Sequence, residues 1–184
     1  MESRMIFAGF GGQGVLLAGQ LIAEAGMHRG QNVTWMPSYG PEMRGGAANC
    51  SVVLSDDTIG TPVITDPDLI VAMNIPSLEL LEKTVVPGGT IIYNSSLISN
   101  PPTRTDVKVV ALPCNDIANS LNAPKTVNMP ILGAVMAATG MVTIEELKQA
   151  MIEKFGDSEA KKKMIDINIE AIKLGEAAVK EAGN

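Results

Sequence analysis

The stretch Met5-Ile-Phe-Ala-Gly-Phe-Gly-Gly-Gln-Gly-Val-Leu-Leu-Ala, close to the start of the chain, constrains the fold more than any other. An apolar run over 4–9 leads straight into Gly9, Gly11, Gly12 and Gly14, and Val15 to His28 then reads as a helix with few breakers. Strand, tight turn and helix follow one another, and Gly9-x-Gly11-x-x-Gly14 has the spacing of a dinucleotide-binding loop. Such glycines let the backbone turn sharply and approach a phosphate. The helix that follows offers free N–H groups and a positive dipole end, which suit any anion. The plainer alternative is that the glycines only let strand and helix pack closely. A NAD site also requires an acidic residue about 20 residues further on, at the end of the second strand. That place reads Trp35-Met36-Pro37-Ser38; no Asp or Glu falls between Glu24 and Glu42, and Arg29 precedes the second strand. The loop therefore reads as a place for an anionic ligand or a partner's cofactor rather than for free NAD.

Further strands are predicted at 32–36, 47–54, 69–73, 90–93 and 107–112, with a helix over 77–86 that Pro87-Gly-Gly stops. After 127 the character changes. A small-residue helix spans 128–139, Thr143 caps a helix with Glu146 at its third position, and 159–182 forms a lysine-rich amphipathic helix with Ile165, Ile169, Ile172 and Leu174 among its apolar positions. The expected fold is α/β: a doubly wound, Rossmann-like, mostly parallel sheet with helices on both faces and a helical C-terminal part. One domain over 1–184 is expected, with an α/β core at 1–127 and the helical part at 128–184.

Twenty acidic against fourteen basic residues, and a net charge of -6, disfavour nucleic acid as a partner. No leader and no long uncharged span is visible, so a cytoplasmic protein without membrane contact is expected. Cys50 and Cys114 form no CxxC group, so no metal site is assigned to this chain. Cys50 reads as a buried strand residue. Cys114 opens a helix, a position that lowers a thiol pKa. His28, the only histidine, sits at a helix C-terminus and reads as a capping or surface residue. Asn128, before Met129-Pro130, reads equally well as a helix cap and as a site residue.

The most unusual stretch is Ser38-Tyr39-Gly40-Pro41-Glu42-Met43-Arg44-Gly45-Gly46. Tyr39, Glu42 and Arg44 fall within six positions of a loop that Pro41 and the glycines restrict. One reading is an ordinary loop ion pair between Glu42 and Arg44, worth little. The preferred reading is functional, because this loop is expected at the sheet end where open α/β sheets bind ligands.

Taken together, the GFGGQGV start, the PSYGPEMRGGAANCSVVLSD segment and VNMPILGA resemble the gamma subunit of the 2-oxoacid:ferredoxin oxidoreductases. The closest branch looks like the 2-oxoglutarate or 2-oxoisovalerate (ketoisovalerate) enzymes. The indolepyruvate enzyme's small subunit is an alternative, as are a stand-alone nucleotide-binding regulatory module and a purely structural subunit. The resemblance implies that thiamine diphosphate, Mg2+ and [4Fe-4S] clusters sit on alpha, beta and ferredoxin-like delta subunits. It also implies that ferredoxin accepts the electrons and that coenzyme A is the co-substrate. Gly9, Gly11, Gly12, Gln13 and Gly14, together with Arg44, Gly45 and Gly46, are the candidate anion or coenzyme A loops; Tyr39, Glu42 and Arg44 are the candidates at a subunit interface.

Overall fold

The structure, a computed structural model, describes residues 1–39 and 46–182. Six strands form one sheet: β1 (Glu2–Phe10), β2 (Asn32–Tyr39), β3 (Ala47–Ser55), β4 (Leu69–Ala72), β5 (Thr90–Asn94) and β6 (Lys108–Leu112). Their order across the sheet is β2-β3-β1-β4-β5-β6. Helices α1 (Val15–His28), α2 (Ile75–Leu81), α3 (Cys114–Ser120), α4 (Met129–Thr139), α5 (Ile144–Phe155) and α6 (Glu159–Ala182) complete the chain.

The expectation of a mostly parallel, Rossmann-like sheet is met only in part. β1, β4, β5 and β6 are parallel neighbours, but β3 runs antiparallel to both β1 and β2, so the sheet is mixed. The chain returns from β2 directly into β3 instead of crossing over through a helix, and a direct return can only be antiparallel. β2 also continues through Pro37 to Tyr39, past the expected stop. Proline is accepted there because β2 is the edge strand and its missing N–H faces away from the ladder.

The helical cover is lopsided. Met5 and Phe7 of β1, with Cys50, Val52 and Leu54 of β3, pack into a large core with α1, α4, α5 and α6. The opposite face carries a smaller core in which Ile6, Ile70, Ile91 and Tyr93 meet Leu78 of the short α2. Alternation along β1 sorts the residues between these two cores, as a strand covered on both faces requires. The predicted 77–86 helix begins earlier, because Asn74 caps it: its Oδ1 accepts from the Ser77 N–H at 2.8 Å. It ends at Leu81, where a tighter turn over Glu82–Thr84 takes over. Thr143 and Glu146 make the reciprocal capping box predicted for α5, with bonds of 2.7 and 3.3 Å.

The tightest packing joins α4 to α6. A Cβ on Gly133 would run into the Ile172 carbonyl, and one on Gly175 would run into the Pro130 carbonyl. Each helix thus presents a glycine to the other's backbone. The buried stripe of α6 is Ile165, Asn168, Ala171, Ile172, Gly175 and Val179, one helical face on which Asn168 is polar and Gly175 has no side chain. In an unpacked helix Gly→Ala raises stability by about 1 kcal/mol. Gly133→Ala is expected to lower it instead, by about 2–3 kcal/mol, because backbone must move to admit the methyl. Urea unfolding of the purified variant checks the sign, with Gly60→Ala, which meets nothing within 4 Å, as the control.

Candidate functional site

The carboxyl ends of β1, β2 and β4 lie at one edge of the sheet. Gly9, Ala48 and Tyr39 fall in a single register row across β1, β3 and β2, and Ala8 lies beside Ala72 of β4. The loop leaving β1 and the segment entering β3 are joined there: the Gly11 N–H donates to the Gly46 carbonyl at 2.9 Å. The two loops singled out in the sequence therefore meet. Of the second, Glu42, Arg44 and Gly45 lie outside the described residues; Tyr39 is placed by its backbone at the end of β2.

Within the first loop the glycines divide the work. Gly9 is buried, and a Cβ there would come within 2.6 Å of Gln13 Oε1 and 2.9 Å of Met73 Cβ. It serves close packing. Gly12 and Gly14 adopt φ values of 99° and 75°, which L side chains rarely take. Gly12 faces open space; a Cβ on Gly14 would meet the Asn128 amide at 2.7 Å. Packing accounts for Gly9 and Gly14, while Gly12 leaves the loop backbone open to approach.

Gln13 is the residue whose part the sequence did not reveal. Its Oε1 accepts from the Phe10 N–H at 2.7 Å and its Nε2 donates to the Met73 carbonyl at 3.1 Å. The side chain therefore spans the gap between the ends of β1 and β4, the switch point at which an open α/β sheet receives a dinucleotide. This filled gap and the missing ribose acid both argue against a NAD module. Asn128, although at the N-cap of α4, makes no cap bond; it is buried, and its Nδ2 donates to the Gly14 carbonyl at 3.2 Å. The motif at 128 holds the first loop from behind.

Above the loop lies a groove of about 440 Å³, walled by Phe10, Val15, Leu16 and Leu17 with Gly12 and Gly14 at its floor. The first turn of α1 carries no acidic side chain and its N-cap glycine supplies no capping oxygen. The N–H groups of that turn thus remain available to an external acceptor. The groove joins an apolar wall to main-chain donors, which suits an amphipathic anion.

The remaining candidates are structural. His28 ends α1 with Nε2 3.2 Å from Glu153 Oε2 of α5, and Lys154 of α5 reaches Glu24 of α1 at 3.5 Å, so these surface pairs tie the two helices. Cys114 does open α3, but burial pushes its thiol pKa up, not down as its helix position suggested. Cys50 is likewise pushed up to about 12 by burial, against a smaller opposing effect of Trp35; its thiol donates to the Val15 carbonyl at 3.6 Å. Among the described residues no group of three His, Cys, Asp or Glu side chains is placed to hold a metal ion, and no helix is long and apolar enough to cross a membrane.

A family model described as pyruvate ferredoxin/flavodoxin oxidoreductase matches residues 4–178. The chain belongs to this oxidoreductase family. It is of the gamma-subunit type. The ketoisovalerate oxidoreductase subunit VorA of Methanothermobacter thermautotrophicus is 37% identical over 174 residues, which cover 95% of this chain and 36% of that one. The chain thus spans about a third of the length of that curated relative. The keto/oxoacid ferredoxin oxidoreductase gamma subunit from Geobacter sulfurreducens superposes with a TM-score of 0.80 at 28% identity, over 97% of this chain and 99% of that one. The 2-oxoglutarate:ferredoxin oxidoreductase from Magnetococcus marinus, solved with 2-oxoglutarate, coenzyme A and succinyl-CoA bound, gives 0.88 at 25% identity, over 98% of this chain and 31% of that one.

Three outcomes test this description of the oxidoreductase-family chain. Gln13→Leu keeps the volume but strands the Phe10 N–H and the Met73 carbonyl; a loss of about 2 kcal/mol is expected in urea unfolding. The thiols bear on pH. Folded Cys50 holds its proton up to about 12 where an exposed thiol releases it near 9, so the folded state binds more protons in that window. Stability is therefore undiminished below about 9 and falls as the pH rises toward about 12. At pH 8 native Cys50 is therefore held as the unreactive thiol. Iodoacetamide is expected to leave both cysteines unlabelled in the native chain and to label both in guanidinium, with mass spectrometry as the readout.

Proposed function

We propose that this chain is the gamma subunit of a thiamine-dependent 2-oxoacid:ferredoxin oxidoreductase acting on 2-oxoglutarate or 2-oxoisovalerate. The assembly takes the 2-oxoacid, coenzyme A and oxidised ferredoxin to acyl-CoA, carbon dioxide and reduced ferredoxin. Thiamine diphosphate supplies the carbanion chemistry at carbon and the iron-sulfur clusters carry the electrons. The clusters do not fit this chain: Cys50 and Cys114 are isolated, buried and far apart in the sequence. Those groups belong on alpha, beta and delta subunits, with ferredoxin as acceptor, in the cytoplasm. The observation that carries the proposal is the groove over Gly12 and Gly14, where an apolar wall meets the free N–H groups of α1.

In this reading coenzyme A docks there. The α1 N–H groups take a phosphate oxygen, Leu16 and Phe10 line the path of the apolar arm, and Tyr39, Glu42 and Arg44 are the further candidates for contact with the ligand. Arg44 grips phosphate in a fork, Glu42 orients it, and Gln13 and Asn128 keep the glycine loop in place. The 2-oxoacid pocket lies largely on other subunits in this reading.

The test uses the tagged chain purified without oxygen from its own cells. Brown, thiamine-containing partners are expected to accompany it, reducing a viologen dye with 2-oxoacid and coenzyme A. Leu16→Asp in that complex places a carboxylate in the first turn of α1, where the helix dipole tolerates it. Its KM for coenzyme A is expected to rise about tenfold or more while KM for the 2-oxoacid stays put. An unchanged coenzyme A dependence removes the groove from the reading; a colourless chain without partners removes the assembly.

A further inference from the structure

A second cavity, of about 520 Å³, opens where the start of α1, the turn before α4, the end of α5 and the start of α6 converge. Its volume is in the range of small-molecule sites. Leu17, Met129, Phe155, Met164 and Ile167 make its wall apolar. Lys125 and Lys163 also line it and no Asp or Glu does, in a chain where acidic residues outnumber basic ones by twenty to fourteen. The local charge thus reverses that of the whole molecule.

A buried amide supplies an independent observation. Asn168 occupies the inward stripe of α6 between Ile165 and Ile172 and is only 4% exposed. Its Nδ2 reaches Met151 Sδ at 3.9 Å, a weak acceptor that does not compensate for the lost water. A leucine would serve packing better at that position. Asn168 lines the cavity, and its amide has no strong partner there.

We propose that this cavity binds a small monocarboxylate with an apolar tail. The tail lies on Leu17, Phe155 and Met164, and the carboxylate accepts from Asn168 and is balanced by Lys125 and Lys163. The site is distinct from the groove over Gly12, and the proposal does not rest on the coenzyme A reading. It does communicate with the glycine loop, because Asn128, also in the cavity wall, holds the Gly14 carbonyl. Occupancy there bears directly on the loop.

The experiment is calorimetric titration of the purified chain, and then of its complex, with hexanoate as the probe and hexanol as its uncharged counterpart. Saturable one-to-one uptake of hexanoate is expected, about tenfold weaker for hexanol and for Lys163→Gln. Asn168→Leu, which is not expected to lower the urea midpoint, should weaken hexanoate binding to a similar degree. Lys161→Gln, outside the wall, should leave it unchanged. No saturable uptake overturns the proposal, and so does equal affinity for the two probes or for the wild type and the Asn168→Leu and Lys163→Gln variants. Uptake by the free chain that disappears in the complex also overturns it, because a partner subunit then fills the cavity.

Discussion

Because β3 folds straight back from β2 and lies against β1, the chain must place the β2–β3 connection at the same sheet edge as the loop after β1. A helical crossover would have let the two loops part; the antiparallel return does not. The register row through Gly9, Ala48 and Tyr39 and the bond between Gly11 and Gly46 follow from this one pairing. The site is thus a consequence of strand direction before it is a consequence of side-chain chemistry. The side chains then refine it, with Gln13 filling the gap between β1 and β4 and Asn128 bracing the turn from the opposite side.

Much of the architecture was legible because local signals there are strong. Glycines with a strand before and a helix after, the Thr143 and Glu146 box, and proline at the start of α4 each act within one or two turns of chain. What escaped was decided by contacts distant in sequence. The direction of β3 depends on its pairing with β1, and 47–54 reads the same in either direction. Pro37 looked like a loop residue because its tolerance depends on β2 being an edge strand. Asn168 and Gly175 hid in the stripe of α6 because one is polar and the other lacks a side chain; only the backbone of α4 explains the glycine. Gln13 reads as a ligand-facing residue in isolation, yet it hydrogen-bonds to the ends of two strands sixty residues apart. At Cys114 too the distant contacts decide: a helix start favours the thiolate, but the core that covers it opposes the charge more strongly.

The uneven cover of the sheet bears on energetics. Five helices and a sheet face share the larger core, while α2 and connecting segments close the other. The glycine loop lies where α1, on the thick side, begins, and Gln13 ties it to the end of β1 and, through the Met73 carbonyl, to the end of β4. A loop fastened at two strand ends has little freedom of its own. This suits a surface that must present fixed N–H donors to a ligand, since donors that need no ordering on binding lose less entropy.

The proline in β2 has one more consequence. An outermost strand of eight residues is a template on which another chain can extend the sheet. Pro37 interrupts the row of outward donors near the end that carries the site. A visiting strand therefore finds no continuous ladder there, and the sheet is protected from growing sideways into an aggregate. Association through the loops and helices stays open, so the same residue that carries β2 to the site also keeps this edge from competing with it for partners.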